Sequence, residues 1–237
     1  MITVEEKKKY TRIQELSAAL DIPVFGTRWK LEVRDHGGRL LQEHRQRSHS
    51  WTRNAYNYLF ALLACINGSD PVWGGGNINL INTGSVLQSG NYALHTSNGS
   101  NTTNIEDPGW GYRGNNGSIA NGIVVGSGLG AEDFNGYYLA APIGHGMGAG
   151  QLSYILQNAP VRSYDAGTKV YKVEHLRYMN NNSGGVISVN EVCLINCIDV
   201  GGTDYCMFAR DLLGATVNIP NTGQLKVTYT IELTYPA

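Results

Sequence analysis

Residues 224–235 alternate without a break: Leu225, Val227, Tyr229, Ile231, Leu233 and Tyr235 fall between Gln224, Lys226, Thr228, Thr230, Glu232 and Thr234. In an extended chain successive side chains point to opposite faces, so this period of two makes one apolar and one polar surface. Wound as a helix, the same residues would scatter around the axis and bury nothing. The stretch is therefore a half-buried strand, which requires partner strands beside it and a second layer over its apolar face.

Shorter pieces of the chain repeat the pattern. In 28–34, Trp29, Leu31 and Val33 alternate with Arg28, Lys30, Glu32 and Arg34; Asp35-His36-Gly37-Gly38 then turns the chain and Arg39 to Gln46 returns. Further strands are expected at Gly122 to Gly126, Gln151 to Gln157, Lys169 to Met179, Val186 to Ile198 and Asp204 to Arg210, punctuated by clusters such as Asn180 to Gly185. Two stretches have helical spacing. Thr3 and Glu6 form a capping box for a helix running to about Leu20 and stopping before Pro23, with a narrow stripe of Tyr10, Ile13, Leu16, Ala19 and Leu20. Ser50 caps a second from Trp51 to about Ile66, with Trp51, Ala55, Leu59, Leu62, Leu63 and Ile66 on one face. The fold class is mainly β (α+β): an antiparallel β-sandwich or jelly-roll-like domain with an N-terminal helix and one helix packed on the sheet. Residues 1–22 form a helical arm, and 23–237 form a single β-sandwich domain with the helix at 51–66 and a Gly/Asn-rich insertion at 67–118.

Composition narrows the function. Charged residues make up 16% of the chain, where about 25% is usual for globular domains. The 30 Gly and 14 Tyr suit tight turns and surfaces meant to be covered. A net charge of −1 argues against a general nucleic-acid binder. Residues 1–60 hold eleven Lys and Arg against seven Asp and Glu, while the other 177 hold seven against twelve. Chance clustering accounts for this split, and so does a positive head docking on the negative body of a neighbouring copy. No run of about 18 apolar residues occurs, so no membrane span is expected, and the charged stretch Met1 to Tyr10 is not a secretory signal. Trp73, Trp110 and Tyr112 stand isolated in the insertion, where they serve either as plugs for a neighbouring subunit or as a stacking platform for sugars.

Catalytic, cofactor and metal residues are expected to be absent. Gly126-Ser127-Gly128-Leu129-Gly130 lacks the Gly-Lys-Ser/Thr of a phosphate loop and the spacing of a dinucleotide fingerprint. His145 sits between glycines with no ligand partner at i+2 or i+4, as in a flexible linker. Glu132 and Asp133, adjacent on a strand, would face opposite ways. Asp211 beside Arg210 suits a surface ion pair or turn. Cys193 and Cys197 would share one strand face too far apart to bridge, Cys206 could face either across a hairpin, and buried free thiols are the plainer expectation.

Three stretches together resemble structural proteins of tailed bacteriophages. The first is Gly37-Gly38-Arg39 through Ser48-His49-Ser50-Trp51-Thr52-Arg53-Asn54 and the helix behind it. The second is Ile123 to Gly128 followed by Leu139 to Gly146 and Gly150-Gln151-Leu152. The third runs from Asn181 to Gly185 and Val189 to Leu194, then Ala209-Arg210-Asp211, Ile219-Pro220 and the last strand. Asn190-Glu191-Val192-Cys193-Leu194 is similar to the N-E-I-G-L strand of phage tail and appendage proteins. The resemblance covers about two-thirds of the chain and consists of packing motifs. It implies a non-enzymatic virion component, a capsid decoration or tail and appendage protein, made in the host cytoplasm and residing in the virion. Its partners would be copies of itself and other virion proteins, with no cofactor. The candidate interface residues are Tyr10, Ile13, Leu16, Trp73, Trp110 and Tyr112. The rival is a carbohydrate-binding module or adhesin taking a host-surface glycan.

Overall fold

The computed structural model describes residues 4–64, 80–88, 107–199 and 203–235. In chain order the elements are α1 (Val4–Leu20), β1 (Val24–Arg34), β2 (Leu40–Arg47), α2 (Arg53–Ala64), β3 (Leu80–Ile81), β4 (Leu87–Gln88), β5 (Gly122–Gly126), β6 (Ser153–Tyr154), β7 (Val161–Asp165), β8 (Val170–Asn180), β9 (Ile187–Asp199), β10 (Thr203–Ile219) and β11 (Gln224–Thr234). They make a mainly antiparallel, β-sandwich-like fold. The larger sheet runs β2-β1-β11-β8-β6, with β7 also pairing β8, and the smaller runs β10-β9-β5.

The long final alternation becomes β11, and it lies in the middle of the larger sheet. Its register sets Leu225, Val227 and Tyr229 opposite Val33, Leu31 and Trp29 of β1. All six are fully buried, and they pack against Val189, Val192 and Ile195 of β9 and Val217 and Ile219 of β10. Each such side chain contributes about 1.5–3 kcal/mol of transfer free energy. The other face of the larger sheet carries a charge ladder, with Lys30 bridging Glu32 and Glu43, Lys226 reaching Glu32, and Arg28 meeting Glu232. A smaller core forms where α2 covers β10: Ala55 and Ala61 pack with Leu80, Cys206 and Phe208.

β10, an edge strand of the smaller sheet, is capped by two side chains of β2. The Gln42 amide donates to Thr216 O and accepts from Asn218 N, and the Gln46 amide donates to Leu212 O and accepts from Gly214 N. Each glutamine thus does for the edge what a further strand would do.

Several elements differ from expectation, each for a physical reason. β10 runs nine residues past Arg210, to Ile219, because Arg210 and Asp211 are buried with partners and do not form a surface turn. The strand expected at Gln151 to Gln157 contracts to Ser153–Tyr154. β7 carries no apolar face, since all five of its residues are exposed, and so has no period to detect. Helix α1 ends at Asp21, which takes a left-handed φ of 54°, two residues before Pro23; Thr3 of the capping box lies outside the described residues. Within 67–118, the described parts are tied to α2 and to the smaller sheet. Ile81 N donates to the Asn54 side chain and Thr83 N to Tyr205 O, while Gly111 and Cys197 exchange both backbone bonds.

Two buried charged clusters order the irregular chain around β5. The guanidinium of Arg177 on β8 is fully buried and donates to five carbonyls: Asn115, Ser118, Asn121, Ile123 and Ile155. Glu191 on β9 accepts from Gly128 N, Ala140 N and Ala141 N, and pairs with Arg210 at 2.8 Å. Arg210 in turn donates to Gly130 O and Ala131 O. Gly126 and Gly128 are needed for this closeness: a Cβ on Gly126 would meet Ala141 O at 2.7 Å, and one on Gly128 would strike the Glu191 carboxylate.

Candidate functional site

Where β1 and α2 begin and β11 ends, the molecule opens into an aromatic groove of about 760 Å³. Phe25, Trp51, Tyr56, Leu59, Leu63 and Leu233 are among its lining residues. Local sequence places each of them. Phe25 projects from the second residue of β1, which begins directly after Pro23. Trp51 forms an isolated bridge to Ala209 of β10, and its indole N–H donates to the Tyr229 hydroxyl at 2.9 Å. Phe25 meets Trp51 edge-on at 4.8 Å between ring centroids, and Trp51 meets Tyr56 at 6.2 Å. Leu59 and Leu63 stand one turn apart on α2, as the helical spacing requires. Phe25, Tyr56 and Leu63 remain 51%, 52% and 77% exposed.

Of the expected interface residues, Tyr10 is half-buried under the Arg47 guanidinium, 3.7 Å from the ring centroid, while Ile13 and Leu16 are exposed. Trp73 lies outside the described residues. Trp110 sits half-buried in a turn closed by Trp110 N to Asp107 O and Arg113 N to Trp110 O. Tyr112 lies between His175 and Phe208, at 5.3 and 5.9 Å, and reaches the groove from that side. Burial holds the Tyr112 hydroxyl well above its ordinary pKa. Its ring is engaged within the fold and does not form an exposed platform.

At the polar end of the groove, beside Ser48, is a cluster that sequence spacing concealed. His49 Nε2 lies 3.1 Å from Glu132 Oε2, and His49 Nδ1 lies 3.4 Å from Asp211 Oδ1. Asp211 is fully buried, and its Oδ2 accepts from Trp29 Nε1 and Ser48 Oγ, both at 2.7 Å. Burial raises its carboxyl pKa, although Ser48, the His49 amide, Trp29 and the His49 ring all oppose the shift. Glu132 is anchored by Leu212 N, which donates to its Oε1 at 2.8 Å. Ser48 gives its proton to Asp211 and not to an imidazole, so the nucleophile–base bond of a hydrolytic triad is missing here.

The other sequence expectations resolve individually. Glu132 and Asp133 lie in a loop and not on a strand; Glu132 turns to His49, while Asp133 accepts from Asn135 N and Gly136 N. His145 is fixed, its Nδ1 accepting from Tyr154 N at 3.1 Å, within a turn closed by Gly146 N to Leu152 O and Leu152 N to Gly144 O. Cys193, Cys197 and Cys206 are buried free thiols, and burial pushes Cys206 up to about 12. One sequence signal points to the hidden cluster: Arg210-Asp211 interrupts the otherwise apolar stretch from Cys206 to Leu213. A charge pair inside a buried strand must find partners elsewhere in the chain.

Comparison with known protein families, curated proteins and solved structures finds no match to this chain.

Proposed function

We propose that the chain is a structural component of a bacteriophage virion, a capsid-surface or tail and appendage protein that works by self-assembly and contacts with other virion proteins. The observation that carries this is a pair of uncovered apolar surfaces joined through Pro23. Helix α1 leaves Ile13, Leu16 and Leu20, which share one face, between 44% and 63% exposed, and the chain passes from it through Pro23 into the aromatic groove. Contiguous apolar surface of this kind marks a contact site on a protein. Many copies, each joined by modest contacts, give a durable lattice through effective concentration. Such a role requires no catalysis.

The test is the particle size of two proteins, the full chain and one lacking residues 1–22, measured by light scattering and electron microscopy. The full chain is expected to form rings, tubes or shells. The shortened chain, and a Tyr56→Glu/Leu59→Glu variant of the groove, should keep the β circular-dichroism spectrum and remain small. A full chain that stays monomeric at high concentration would overturn the proposal.

A further inference from the structure

We infer that His49, Glu132 and Asp211 form a binding site for a divalent transition-metal cation of the zinc class. One ligand atom from each lies within 4.8 Å of the other two. Ligands held about 2.0–2.2 Å from a common zinc ion stand roughly 3.4 Å apart, so the imidazole, whose two nitrogens now face the two carboxylates separately, has to turn one nitrogen toward both. The 53%-exposed His49 side chain supplies the movable member.

The three donors come from three segments, two of them tied to β10 on either side of Asp211. The Ser48–Ser50 stretch is pinned at both ends, by Ser48 N to Thr27 O and by Arg210 N to Ser50 O. The chain just before Glu132 is gripped by Arg210 through Gly130 O and Ala131 O. Asp211 is part of β10 itself. The outer shell is also in place. Asp211 Oδ2 is held by an indole N–H and a hydroxyl, and Glu132 Oε1 by a backbone amide. That leaves Asp211 Oδ1, which also accepts the His49 amide, and Glu132 Oε2 facing the imidazole. Metal-ligating carboxylates are oriented in this way by second partners.

An imidazole with two carboxylates favours zinc and its first-row neighbours over Mg²⁺ or Ca²⁺, which prefer all-oxygen shells. Three protein ligands leave a fourth position for water. His49 also lines the aromatic groove, so the site borders that surface.

Chelator-treated full chain would be titrated with ZnCl₂ by calorimetry and thermal melting, with CoCl₂ added in parallel for its visible d–d absorption. One equivalent should bind with a dissociation constant of micromolar or below, and Tm should climb with zinc concentration. MgCl₂ and CaCl₂ should do neither. His49→Ala and Glu132→Gln should each weaken zinc binding at least thirtyfold; the glutamine keeps an acceptor for Leu212 N, so its loss of binding would not reflect a broken loop. Zinc affinity unchanged in either variant, or no zinc-dependent rise in Tm in the parent, would show that the three residues form only an ion-pair cluster.

Discussion

His175 shows how one buried side chain sets a pH response. It sits on β8 opposite Tyr229, 6% exposed, with no hydrogen-bond partner for Nδ1. Burial, assisted by the positive Arg162 nearby, lowers its pKa from 6.5 to about 4. The unfolded chain therefore binds a proton more readily than the native one does. The stabilising contribution is complete above pH 6.5 and is lost as the pH falls toward 4, about 2–3 kcal/mol over that window. Urea unfolding at pH 7 and pH 4.5 should show this loss in the parent and a smaller one in His175→Phe, which keeps an aromatic ring beside Tyr112. Equal losses in the two proteins would remove His175 as the cause. The neighbouring Arg177 answers burial differently: it stays a cation among five carbonyls, although desolvation brings its pKa to about 10.

At the scale of elements, the loop 127–141 keeps its shape through side chains of the strands behind it. Glu191 accepts from three of its amides and holds Arg210, whose guanidinium closes on two of its carbonyls. Removing one member of a buried pair leaves the other charge uncompensated, so Glu191→Leu should cost about 3–5 kcal/mol in chemical denaturation. Adding Arg210→Met often restores stability at buried ion pairs. Here it should not, because three loop amides would still lack an acceptor. Recovery in the double variant would show that the amides find water instead. This dependence also explains what could be read from the sequence. β1 and β11 are legible because their apolar period is local to the strand, while β2 follows from the Asp35–Gly38 turn before it, and β8 and β9 from the Gly- and Asn-rich clusters that bound them. The second half of β10 is not, since Asp211 belongs in a strand only once Trp29, Ser48 and His49 have come to meet it. The acid–base cluster was hidden for the same reason, its members standing at positions 49, 132 and 211. Gly126, Gly128 and His145, which stand out in the sequence, owe their form to close packing and to a backbone bond.

For the whole molecule, the two ends of the chain bear very different weights. β1 and β11 pair along their full length, from Val24 with Thr234 to Arg34 with Gln224. β11 also pairs β8 on its other side. The last described strand is therefore the centre of the larger sheet, and the core cannot close until it is in place. Helix α1, by contrast, meets the body at few points, among them Tyr10 under Arg47, and its own ion pairs, Lys9–Glu5 and Arg12–Glu15, are exposed and contribute little. Removing residues 1–22 should shift stability by no more than about 1 kcal/mol. Ending the chain at Gly223 should abolish cooperative melting, because Leu225, Val227 and Tyr229 leave a core in which all three are fully buried. The truncated chain should bind a hydrophobic dye and be digested by protease under conditions where the arm-deleted chain resists. Folding itself should be slow, in the range of milliseconds to seconds or beyond, since the central pairing joins residues about 200 positions apart. A chain ending at Gly223 that still melts cooperatively would mean that β1 and β8 can close the sheet without β11.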